Sequence, residues 1–106
     1  MDWSTSRTPD ALIGHPLGRV DESSWELFPA ALNAGIAEAA AAQLPLVVDL
    51  AGIPYMSSRG LRVLTLALRE GKARSVAIAL ARPNERMREI LAISRYDKIF
   101  EIRETL

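Results

Sequence analysis

A single α/β domain with about five strands in a mixed, mostly parallel sheet, packed with three to four helices, is what this sequence predicts. Three observations carry that reading. Short apolar runs alternate along the chain with longer stretches whose apolar residues recur at helical spacing, which is the pattern of strand–helix–strand units with right-handed crossovers. The run Leu44–Leu50 is almost continuously apolar, as expected of a strand buried on both faces. The chain has 106 residues, 49% of them hydrophobic and 25% charged, which is enough to bury one core and too few for two domains.

Taken in order, residues 3–7 form a short polar edge-strand candidate, and Thr8-Pro9-Asp10 reads as a turn. Ala11–Val20 carries Leu12, Ile13, Leu17 and Val20 and reads as a second strand. Pro16 lacks a ladder donor, so it is expected at an edge or bulge. His15, the only histidine, is expected to face solvent from this strand. Asp21-Glu22-Ser23-Ser24 is a helix-start signal, and the helix is expected over 24–43 with Trp25, Phe28, Leu32 and Ile36 as its buried stripe. Pro29 lies about one turn in and predicts a bend or a tightened entry.

After the strand at 44–50, Ala51–Met56 connects to Ser57 and Ser58, and a second helix follows. Leu61, Leu64 and Leu68 form its inward stripe; Arg59, Arg62, Val63 and Leu66 are placed opposite, as two apolar residues flanked by arginines on an outward face. Gly71 is expected to terminate the helix. Val76–Ala81 is a buried strand. Asn84 caps a third helix with Met87, Ile90, Leu91 and Ser94 inward, closed by Tyr96-Asp97-Lys98. Ile99–Ile102 is the last strand.

Composition narrows the function. There is no cysteine and one histidine, which removes disulfides, thiolate chemistry and most zinc sites and fits a reducing, cytoplasmic setting. The formal net charge is zero, against a nucleic-acid partner. No apolar run approaches the ~18 residues of a membrane span, so direct membrane insertion is not expected. No P-loop or dinucleotide fingerprint is present. Asp49 ends a buried strand without a partner carboxylate or phosphate cradle and reads as structural. No catalytic constellation assembles, so an enzyme with a cofactor or metal of its own is not expected.

That leaves the serine pair. The first-turn amides of a helix lack acceptors, and the dipole puts partial positive charge there. A serine hydroxyl at that end is an N-cap, and a phosphate is equally at home. Spacing alone leaves both uses open.

The segment Val47-Val-Asp-Leu-Ala-Gly-Ile-Pro-Tyr-Met-Ser-Ser-Arg-Gly-Leu-Arg-Val-Leu resembles the central motif of STAS domains, and more narrowly that of bacterial anti-sigma-factor antagonists. In that family a strand ending Asp-Leu leads through a loop to Asp/Ser-Ser-Ser/Thr/Ala-Gly-Leu and a helix. Gly18-Arg19-Val20-Asp21, and Arg86–Leu91 through Tyr96–Phe100, are similar to its flanking pieces, so the likeness spans about residues 11–102.

The resemblance implies a domain that docks unphosphorylated onto an anti-sigma factor, itself a serine kinase, and so frees a sigma factor. Phosphorylation at Ser58, with Ser57 as second choice, would undo the docking, and a metal-dependent phosphatase would reset it. The ATP and metal of that cycle would belong to the partners. Ser57, Ser58, Arg59, Arg62, Val63 and Leu66 are the expected docking residues, on a monomer or weak dimer. This chain departs from the family pattern in Ser57, where Asp is frequent, and in Arg59, where a small residue is usual. The family's C-terminal helix is short or missing, since only Arg103-Glu104-Thr105-Leu106 remains after the last strand. Two other classes stay open: a non-switching STAS subunit of a membrane transport complex, of the ABC lipid-transport kind, and a small-molecule or nucleotide module using the Asp49/Ser58 end.

Overall fold

A computed structural model describes residues 2–106. Five strands and three α-helices follow in the order β1 (Asp2–Arg7), β2 (Leu12–Leu17), α1 (Leu27–Ala42), β3 (Leu46–Asp49), α2 (Ser58–Ala73), β4 (Ile78–Ala81), α3 (Glu85–Ile93), a 3-10 turn (Tyr96–Lys98) and β5 (Glu101–Arg103). The strands lie side by side in chain order in one sheet. β1 is antiparallel to β2; β2, β3, β4 and β5 are mutually parallel, with Ile13 beside Val47, Val47 beside Ala79 and Leu80 beside Ile102. No helix among the described residues is long and apolar enough to cross a membrane.

Strand alternation decides where the core lies. Leu12, Leu46, Val48, Ile78 and Leu80 share one cluster with Phe28, Leu32 and Ile36 of α1, Leu61, Leu64 and Ala67 of α2, and Met87 and Leu91 of α3. The residues between them, Ile13, Val47 and Ala81 together with Ala11, form a small separate cluster to which no helix contributes. All three helices therefore pack on one face. Every residue of β3 and β4 is buried, as the continuous apolar runs predicted.

Several boundaries moved, each for a local reason. α1 begins at Leu27 rather than Ser24, because Pro29 falls in its first turn, where a missing N–H costs nothing. Residues 21–26 wind instead through tight turns, with the Trp25 amide bonded to the Asp21 carbonyl (2.9 Å) and the Phe28 amide to the Trp25 carbonyl (3.2 Å). This is the tightened entry expected of Pro29. Pro16 lies inside the second strand, yet β2 pairs with β3 only over residues 12–14, so the proline sits where one neighbour has already departed. The Asn84 cap forms, its side chain accepting from the Met87 amide at 2.7 Å. β5 starts at Glu101, two residues later than expected, because the 3-10 turn carries the chain on to Ile99 and Phe100.

Gly71 does not end α2, which runs two residues further. Its role is close approach: a Cβ there would stand 2.7 Å from the Val76 carbonyl oxygen and 2.8 Å from Ile78 Cδ1.

His15 does not simply face solvent. Its Nδ1 lies 3.0 Å from Asp49 Oδ2 and its Nε2 lies 2.8 Å from Ser6 Oγ. Asp49 is 4% exposed and is gripped from the other side by Arg82, whose Nε and terminal nitrogen donate to the two carboxylate oxygens at 3.1 and 2.6 Å. The Ala51 amide adds a bond at 3.1 Å. Burial alone would raise this carboxyl's pKa. Arg82, the Ala51 amide and His15 outweigh it and hold the group below its ordinary value of 3.8.

Two outcomes are expected. Gly71→Ala overpacks the turn between α2 and β4 and costs about 1–3 kcal/mol in urea unfolding, with the m-value unchanged. The Asp49 carboxyl titrates lower in the folded chain than in the unfolded one, so its contribution to stability is complete above the unfolded value and drains away as the pH falls through the folded one. Arg82→Ala should lower the thermal midpoint by several degrees at neutral pH, and the gap from the parent should narrow on acidification, as followed by circular dichroism.

Candidate functional site

The chain between β3 and α2 is held against the extension of β2. The Gly18 amide bonds to the Gly52 carbonyl (3.0 Å), the Val20 amide to the Tyr55 carbonyl (3.1 Å) and the Ser57 amide to the Val20 carbonyl (2.7 Å). Val20 and Met56 form a parallel bridge. Gly60 permits it: a Cβ at this residue would lie 2.4 Å from Met56 Cγ and 2.7 Å from Val20 Cγ1, so the first turn of α2 rests directly on the bridge. The start of α2 is thus tied to the sheet by backbone rather than by side chains.

The two serines at that start differ. Ser57 occupies the N-cap position in an extended conformation, but its hydroxyl makes no capping bond. Its Oγ is buried and unpartnered among the described residues. Ser58 is the first helical residue and is exposed. The amides of the first helical turn beside it have no intrahelical acceptors. Of the two, Ser58 is the exposed residue, while Ser57 is partly exposed with its hydroxyl oxygen buried.

Arg59 does not hang free beside Ser58. Its Nε donates to Glu22 Oε2 at 2.9 Å, and its guanidinium lies over the Trp25 ring, 5.2 Å from the centroid. Trp25, Arg59, Arg62, Val63 and Leu66 together line a surface cavity of about 390 Å³. Arg62 and Leu66 are exposed, Leu66 at 47%. Val63 is corrected: at 5% exposed it belongs to the core rather than to an outward face, because α1 and α2 pack closely enough to cover it. It forms the floor of the cavity, and Arg62 and Leu66 form its rim.

A second feature was missed from sequence. Two guanidiniums lie over the Tyr55 ring, Arg19 at 4.6 Å and Arg86 at 5.0 Å from its centroid. The three come from the loops after β2 and β3 and from the start of α3, so only the folded chain assembles them. Asp49, by contrast, offers nothing to a ligand. Four polar contacts occupy its two oxygens, which is about the full acceptor capacity of a carboxylate.

The fold has close counterparts among solved structures. TM1081 of Thermotoga maritima superposes with a TM-score of 0.83 at 19% identity, over 98% of this chain and 87% of that one. An anti-sigma factor antagonist from Mycobacterium paratuberculosis gives 0.78 at 20% identity, over 99% and 86%. The Bacillus cell fate determinant SpoIIAA in its phosphorylated form gives 0.66 at 17% identity, over 98% and 92%. The STAS domain family matches residues 2–106, end to end across the described chain, and this protein belongs to it.

Proposed function

We propose that this domain is an anti-sigma-factor antagonist that works as a cytoplasmic binding protein, docking unphosphorylated on an anti-sigma factor with serine kinase activity and released by phosphorylation of Ser58. The observation that carries the reading is the contrast within the serine pair: the Ser58 side chain is exposed on the first turn of α2, while the Ser57 hydroxyl is buried. The solved counterparts support it, since one is described as an anti-sigma factor antagonist and SpoIIAA exists in a phosphorylated form.

The physics of the switch is local. A phosphate adds about −1.5 to −2 charges and three acceptor oxygens. On Ser58 it would sit by the open amides of α2, a position its own fold tolerates. The docking face is Ser58 with Arg59, Arg62 and Leu66 around the Val63-floored cavity. Closing a partner over this face would strip water from the phosphate, and a penalty of a few kcal/mol weakens binding roughly a hundredfold. The domain need not refold. Arg59 is already engaged by Glu22 and Trp25, so access to Ser58 does not require it to be displaced. A metal-dependent serine phosphatase would close the cycle.

The test is incubation with the cognate kinase and ATP, followed by peptide mass spectrometry. The parent and Ser57→Ala should each take one phosphate, at residue 58, and Ser58→Ala none. Phosphate on Ser57, or none in the parent, removes the switch. Ser57→Ala deletes a hydroxyl that has no partner, so its stability should stay within about 0.5 kcal/mol of the parent, where loss of a working N-cap costs about 1 kcal/mol. In calorimetric titration against the anti-sigma factor, Leu66→Arg should weaken binding while leaving phosphorylation of a Ser58 peptide unaffected.

A further inference from the structure

The two edges of the sheet are unlike. β5 closes one side with three residues, and its Glu101 and Arg103 are paired with each other. β1 closes the other side with six, Asp-Trp-Ser-Thr-Ser-Arg, all exposed except the partly covered Trp3. Its register with β2 runs unbroken from Asp2 beside Leu17 to Arg7 beside Leu12, and it contains no proline, lysine or bulge. Among the described residues no strand pairs with its outer side. A straight edge of this length presents a row of unpaired N–H and C=O groups, the condition that protective edge devices normally remove.

We propose that β1 is a self-association edge, on which a second copy of the chain adds its own β1 antiparallel to form one continuous sheet across a two-fold axis. The axis stands normal to the sheet, so the helix-bearing faces stay on the same side and opposite residues must come from the same face. Trp3, whose ring lies against Gly14 and Gly35, marks the helix face together with Thr5 and Arg7. Ser6, bonded to His15, marks the other face together with Asp2 and Ser4.

Two registers satisfy this rule and keep five residues of each strand paired. One sets Ser4 against Ser4 and leaves Arg7 unmatched. The other sets Thr5 against Thr5, Ser4 against Ser6, and Arg7 against Trp3 twice over. The structure favours the second. Arg7 is 55% exposed and its ion pair with Glu38 is long, at 3.8 Å, so its guanidinium can exchange that surface contact for the facing indole. A threonine pair at the centre is a favourable cross-strand contact. One strand pair falls short of the ~1,200–2,000 Å² buried by stable complexes, so the dimer is weak and forms at high concentration.

The absence of cysteine makes the test clean. Sedimentation equilibrium of the parent should show a concentration-dependent dimer. Thr5→Arg sets two guanidiniums face to face and should weaken association about tenfold or more, with an unchanged circular dichroism spectrum. Under oxidation Thr5→Cys should become a covalent dimer far faster than Ser4→Cys or Leu66→Cys. A parent that stays monomeric up to millimolar concentration, a Thr5→Arg chain that associates as the parent does, or preferential cross-linking of Ser4→Cys or Leu66→Cys would overturn the proposal. None of these outcomes bears on phosphorylation of Ser58.

Discussion

A backbone clasp three residues long positions the start of α2. Val20 both donates to Tyr55 and, through its carbonyl, accepts from Ser57, and Met56 lies alongside as a bridge. Backbone hydrogen bonds do not depend on the rotamers of long side chains, so the clasp fixes where α2 begins more tightly than any surface ion pair would. The helix then rests on it through Gly60, with no Cβ to hold the two apart. What α2 displays outward follows from that placement: an exposed serine, two arginines and a leucine over a buried valine.

Charge is distributed in two contrasting ways around this frame. Asp49 is deep, bidentately held and saturated, and it joins the ends of β3 and β4 while His15 extends the connection through β2 to Ser6 on β1. Buried and fully paired, that group is structural. Near the start of α2 the arginines lie at the surface and lean on aromatic rings, Arg59 on Trp25 and both Arg19 and Arg86 on Tyr55. Such contacts are modest in energy and readily exchanged. A binding surface benefits from that arrangement, since a partner can replace one cation–π contact with another without disturbing the core.

Much of this was legible in the amino-acid string. The alternation of apolar runs gave the parallel sheet and the order of its elements, and the Asn84 cap and the tight entry imposed by Pro29 followed from local chemistry. The misreadings share one cause, which is that tertiary neighbours overrode a local signal. Gly71 looks like a terminator until Val76 and Ile78 are folded against it. Val63 looks outward on a helical wheel, but a wheel omits α1. Ser57 has the identity of a cap, yet the clasp draws its backbone to Val20 and leaves its hydroxyl inside. Nothing local in the sequence marks Arg82, although it directly follows β4, in which Ala81 neighbours Asp49. Pairing a strand-terminal acid with the residue after the adjacent strand is a signal that sequence does carry once the sheet order is known.

Arg82 also holds a left-handed backbone, with φ of 54°. Glycine is the residue such a conformation prefers, but glycine would leave the carboxylate without its fork of donors. Lysine would keep a charge and lose the bidentate geometry. The position is caught between backbone and side-chain demands, and mutational drift has no easy exit from it. Gln43, Ser75 and Arg95 share the same left-handed state at φ of 57°, 59° and 64° without a comparable anchor, which makes them corners where replacement by glycine is open to an engineer seeking a sturdier chain.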